Sequence, residues 1–140
     1  MTTKEQQIYV AIAGLAQLNE IDLKFREYLG SVGTTVKDLG SLMTHDSEIS
    51  ATCLGINLKV VARPVAINGT PVAIEYVFGE EREEGLAPYW RMYLDSFGSF
   101  YADAECQKRL WDYNNMYIVK FVLVEIGVAM LSSGRFAPTP

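Results

Sequence analysis

The sequence predicts an α+β fold, with one or two N-terminal helices, an antiparallel β-meander of three or four strands, and a hydrophobic C-terminal helix packed on the sheet. Three observations carry this reading. Between Ser50 and Ala102, apolar residues recur at every second position, the period of half-buried strands. Within that block, Asn68-Gly69 is the dipeptide best suited to the positive φ angles of a type I′ hairpin turn. At the N-terminal end the apolar spacing changes to three and four, the period of a helix, and the apolar run near the C-terminus is too long for an ordinary strand and ends in a helix-stop signal.

From Lys4 to about Leu29 the pattern is helical. Ile8, Ala11, Ile12, Leu15 and Leu18 form one stripe, and Ile21, Phe25, Tyr28 and Leu29 form a second, rotated about the axis. Asp22 falls within the first stripe, so the helix either bends around the core or breaks at Asn19, a residue able to cap a second helix. Gly30 and Gly33 end it. Thr35 followed by Asp38 is read as a short helix through Leu42, and Thr44–Ser50 as a polar connection.

Leu54, Ile56, Leu58, Val60 and Ala62 define a first strand, Val72, Ile74, Tyr76 and Phe78 a second, and Trp90, Met92 and Leu94 a third. Uninterrupted pairing from the Asn68-Gly69 turn would oppose Arg63 to Ile74 and turn Leu58 and Val60 away from the core. One extra residue near Arg63-Pro64 corrects this, pairing Ala62 with Ile74, Val60 with Tyr76 and Leu58 with Phe78. Proline is tolerated at bulges and edges, so this strand is expected at a sheet edge for part of its length.

Gly79–Gly85 is a charged loop bounded by glycines. Asp95-Ser96-Phe97-Gly98 is a tight turn into a short fourth strand, Ser99–Ala102. Asp103 is read as the cap of a helix beginning at Ala104, interrupted at Asn114-Asn115. Met116–Leu131 is rich in β-branched residues but too long for an ordinary strand, and Ser132-Ser133-Gly134 resembles a helix end. It is read as a helix. It has no polar face, and such a helix is enclosed by its own core or by a second molecule. Lys120 and Glu125 interrupt a run already shorter than the ~20 residues of a membrane span.

The length of 140 residues suits one domain spanning residues 1–140. A formal charge of −5 argues against a broad nucleic-acid-binding surface. Cys53 and Cys106 are too few for a disulfide framework, and the polar start Met1-Thr2-Thr3-Lys4 does not resemble a signal peptide, so a cytoplasmic location is expected.

Candidate chemistry is sparse. Glu125, a carboxylate on an apolar helix, would have a raised pKa if desolvated; the plainer reading pairs it with an arginine such as Arg63 or Arg91. His45-Asp46 offers a proton-transfer pair, but the serines and threonines around it read as an exposed loop. Neither cysteine has a flanking base that would activate its thiol; only Cys106, in the first turn of the helix expected from Ala104, has a position that could lower a thiol pKa. Glu80–Glu84 lacks the ligand spacing of a calcium loop and reads as a solvated hairpin tip. Tyr89, Arg91, Tyr93, Lys59 and Arg63 share, by strand parity, the face opposite Trp90 and Met92, where they stack on a flat ligand or lie beneath a cover. No phosphate loop, serine elbow, CxxC or HExxH occurs.

The expectation is therefore a non-enzymatic, acidic binding protein acting as a homodimer: an adaptor, inhibitor or chaperone-like partner binder, with no cofactor or metal. The alternative is a small-molecule-binding protein, with or without catalysis, with a pocket between sheet and C-terminal helix lined by Tyr76, Trp90, Trp111, Tyr117 and Glu125.

Overall fold

The computed structural model describes residues 3–139, among which one helix precedes and one follows the strands of an eight-stranded antiparallel sheet. Helix α1 (Lys4–Leu29) is one unbroken helix, begun by a capping box in which Thr3 and Gln6 satisfy each other's backbone N–H groups. The strands follow in sequence order as an up-and-down meander: β1 (Thr35–Val36), β2 (Gly40–His45), β3 (Glu48–Cys53), β4 (Ile56–Ile67), β5 (Thr70–Arg82), β6 (Gly85–Leu94), β7 (Ser99–Tyr101) and β8 (Arg109–Asp112). Helix α2 (Ile118–Ser132) closes the fold. The α+β class is as expected. The three or four predicted strands are corrected to eight, and the N-terminal region holds one helix.

The extra strands lie where the sequence was read as helix or loop. Residues 35–42 form β1 and the start of β2, and Thr44–Ser50 is a hairpin whose turn, Asp46-Ser47, adopts positive φ without glycine. Leu54-Gly55 makes another two-residue turn with both φ positive, so Leu54 sits between β3 and β4 instead of beginning a strand. Asp103 caps no helix. Its carboxylate accepts from the backbone N–H groups of Gln107 and Lys108 (2.8–3.3 Å), holding a turn that leads into β8. Two expected turns are present: Asn68 and Gly69 both have positive φ, and Asp95 accepts from Phe97 and Ser99 while Gly98 takes the left-handed position.

The β4–β5 register needs one extra residue, as expected, but on the other strand. Val65 pairs with Ala73 and Ala66 with Pro71, leaving Val72 as the bulge, so Ala62 lies opposite Tyr76 and Val60 opposite Phe78. An extra residue on either arm restores parity, so the predicted faces hold while the predicted partners move by two. A second bulge at Tyr89 separates the Phe78–Trp90 and Gly79–Pro88 pairs. Each bulge directly follows a proline, Pro71 or Pro88. Pro64 lies within regular pairing, on the part of β4 beyond its last β3 partner, Lys59. That stretch is a sheet edge, where a missing N–H is tolerated.

Both helices pack on one face of the sheet and share a single core. Phe25 of α1 meets Tyr76 and Phe100 edge to face at 5.4 and 4.9 Å. Ile118, Val122, Leu123, Ile126 and Met130 of α2 complete the core with Leu42, Cys53 and Met92. The strands β2 and β6 each touch both helices, which requires the sheet to curl around them.

Candidate interaction surfaces

The five residues predicted to line a pocket are divided by the fold. Tyr76 is fully buried, and its hydroxyl donates to Asp22 of α1, whose two carboxylate oxygens also accept from Arg26 Nε at 3.1 Å. Burial and then the Asp22 charge push the phenol's pKa far up. Trp90, Trp111 and Phe121 form an aromatic row with centroid separations of 6.3 and 5.5 Å, and Tyr117 continues it at 6.1 Å. Glu125 lies exposed on the outer side of α2, so it lines no space shared with Tyr76. The room between sheet and α2 is thus occupied by packed rings. Trp111 Nε1 is buried within them and is the only such side-chain nitrogen or oxygen without a partner among the described residues.

The remaining candidates are scattered. His45 sits at the exposed end of the β2–β3 hairpin, 3.4 Å from Asp46. Cys53 lies at the other end of that hairpin beneath α2, its Sγ donating to the Leu123 carbonyl at 3.5 Å, and burial pushes its thiol pKa up. Cys106 is pushed up to about 11 by burial and then by Asp95, Asp103 and Glu105. Neither environment activates a thiol. No group of three or more metal-ligating side chains gathers among the described residues. No helix among the described residues is long and apolar enough to cross a membrane.

On the uncovered side of the sheet, pairing aligns Arg63, Glu75, Tyr93 and Tyr101 across four strands. Glu75 is the one buried charged residue among the described residues, accepting from Arg63 Nε at 3.0 Å and Tyr93 Oη at 2.9 Å. Lys59 and Arg91 share this side by register. Tyr89 is corrected to the helix side: as the bulge residue it packs against the core, and its hydroxyl donates to Glu80 at 2.7 Å. Glu80 also binds Arg135, beyond α2, at 2.9 Å. The acidic segment is therefore only partly a solvated tip, at Glu83-Glu84 between Arg82 and Gly85.

Two apolar surfaces remain open. The first is the amino-terminal half of α1, where Ile8, Tyr9, Val10 and Ile12 are each more than half exposed. These residues precede the part of the helix that reaches the sheet, so the expected core role of Ile8 and Ile12 is corrected. Against the β4–β5 hairpin tip they border a groove of about 530 Å³, lined by Val10, Ala11, Asn68, Thr70 and Pro71. The signal was present in the sequence: Ile8–Ala13 is apolar at every position, with no polar side to turn toward water.

The second is the outer side of α2. Opposite its buried face, Tyr117, Val124, Val128 and Leu131 are 43–63% exposed, with Phe121 half-buried among them. The helix is therefore not enclosed by its own core: one side packs on the sheet, and the other is apolar and open. Comparison with protein-family models, curated proteins and solved structures gives no match to this chain.

Proposed function

We propose that this chain is a non-enzymatic binding protein, an adaptor, inhibitor or chaperone-like partner binder, that works as a homodimer. The observation that carries the reading is the concentration of large apolar side chains outside the core on both helices, above all Ile8, Tyr9, Val10 and Ile12. Isolated exposed apolar residues are ordinary, whereas contiguous patches mark sites of association. A groove beside that patch, walled by the β4–β5 hairpin tip, supplies backbone and Asn68 polar groups to orient a partner. The packed aromatic row beneath α2 weighs against the alternative of a small-molecule pocket there.

The test is a comparative pull-down from the native host, using the wild type and the Ile8→Ser/Ile12→Ser variant. A partner retained by the wild type, lost with the variant, and rebound as a purified component supports the reading. Equal capture by both proteins, or a metabolite that raises the melting temperature without any partner being captured, overturns it.

A further inference from the structure

The outer side of α2 repeats with the spacing of a coiled-coil seam. From Tyr117 the apolar positions are Phe121, Val124, Val128 and Leu131, steps of four, three, four and three. This is the a/d pattern of a heptad, with Phe121 and Val128 at a, and Tyr117, Val124 and Leu131 at d. Val122, Leu123, Ile126 and Met130 on the opposite side bind the sheet, while Phe121, half-buried at the seam's edge, also stacks on Trp111. Four such positions on α2 and Tyr117 at its N-cap, on a helix already held in place by its own domain, present a formed seam with no facing helix.

The two charged side chains of α2 stand at the borders of that seam. Lys120 falls at the g position on one side and Glu125 at the e position on the other; both are exposed, and neither has an ion-pair partner among the described residues. In a parallel two-stranded seam, a g residue faces the e′ residue five positions later on the second helix, an offset of about 7.5 Å. Lys120 and Glu125 are five positions apart. A twofold axis along the seam therefore brings Lys120 of each copy to Glu125 of the other. An antiparallel arrangement centred on Val124 instead places Glu125 beside its own copy, a like-charge contact that disfavours it.

We infer that the occupant of this face is a second copy of the same chain, joined by a parallel α2–α2 seam with reciprocal Lys120–Glu125 pairs. This rests on the homodimeric reading above and specifies its interface. Fifteen residues of helix span only about 22 Å, roughly two heptads. So small a contact holds a weak dimer, with a dissociation constant on the order of 10 μM.

The experiment is sedimentation of the full chain between roughly 1 and 300 μM, with charge and cysteine variants. The inference expects reversible dimerisation, weakened at least ~10-fold by Val128→Glu, which buries an unpaired charge in the seam. Lys120→Glu and Glu125→Lys each weaken it roughly threefold or more, and together they restore it. In a Cys106→Ser background, Tyr117→Cys and Leu131→Cys each form a disulfide with their own copy. Thermal melts of every variant check that folding is intact. A monomer across the whole range overturns both the seam and the homodimeric reading. A dimer indifferent to Val128→Glu, or one in which the cysteines crosslink only when the two variants are mixed, overturns the parallel seam and leaves homodimerisation standing.

Discussion

The hydroxyl of Tyr76 donates to the Asp22 carboxylate, tying the middle of β5 to the middle of α1. A carboxylate inside an apolar stripe is thereby accommodated without a break in the helix. Tyr76→Phe should lower stability by about 1–2 kcal/mol, because Asp22 keeps Arg26 but loses a buried donor. Asp22→Ala should cost more, since it strands the buried hydroxyl. Urea unfolding of the two variants checks the order, and an equal or reversed order would contradict this account of the site.

The same contact determines alkaline behaviour. The folded pKa of Tyr76 lies above its ordinary value of 10, so the unfolded chain loses the phenolic proton first. Its contribution is fully present below pH 10 and falls as pH rises beyond it. Tyr89, Tyr93 and Tyr101 shift in the same direction, burial being the largest cause in each case. Stability should decline above pH 10, less steeply in Tyr76→Phe than in the wild type. Denaturant midpoints measured from pH 8 to pH 11 give the comparison.

Gly40 permits the close approach of β2 to β3. A Cβ there would lie 1.9 Å from the Thr52 carbonyl oxygen, a backbone atom that cannot turn aside. Gly40→Ala should destabilise by at least about 2 kcal/mol, whereas Gly33→Ala, with nothing within 4 Å, should be nearly neutral. Paired thermal melts distinguish the two sites.

Glu80 fastens the segment after α2 to β5. Arg135 and then the Tyr89 hydroxyl hold its carboxyl below the usual range. A group depressed in this way favours the folded state above its unfolded pKa and loses that effect as pH falls through the folded one. Carbon-detected NMR titration should place Glu80 below 4.5, and Arg135→Ala should move it upward. Hydrogen exchange should quicken over residues 134–137 in the same variant.

Glu125→Gln in the monomer should change stability by no more than about 0.5 kcal/mol, because the side chain is exposed. Melts at low protein concentration, below the association range, provide the check. A large loss would mean that this carboxylate has a buried partner.

What the sequence determined by itself was periodicity. Alternation at Ile74, Tyr76 and Phe78 assigned these residues to one side of a strand, the Asn68-Gly69 pair specified a hairpin, and the unbroken apolar run after Met116 specified a helix. These are local properties, set by backbone geometry and by which face must leave water. The tertiary structure decided the rest. Turns at Asp46-Ser47 and Leu54-Gly55 are held in positive φ by the strands they join, their residues suit loops and hairpins alike, and four strands, β1, β2, β3 and β8, were hidden as helix or loop. The β4–β5 bulge could sit on either arm and preserve parity; it follows Pro71, where α1 rests against the hairpin through Gly14. The surfaces were likewise beyond local pattern. Ile8 and Ile12 match the spacing of core residues, yet they stay in solvent because only the β4–β5 hairpin tip comes alongside that end of the helix, a matter of where two distant segments meet.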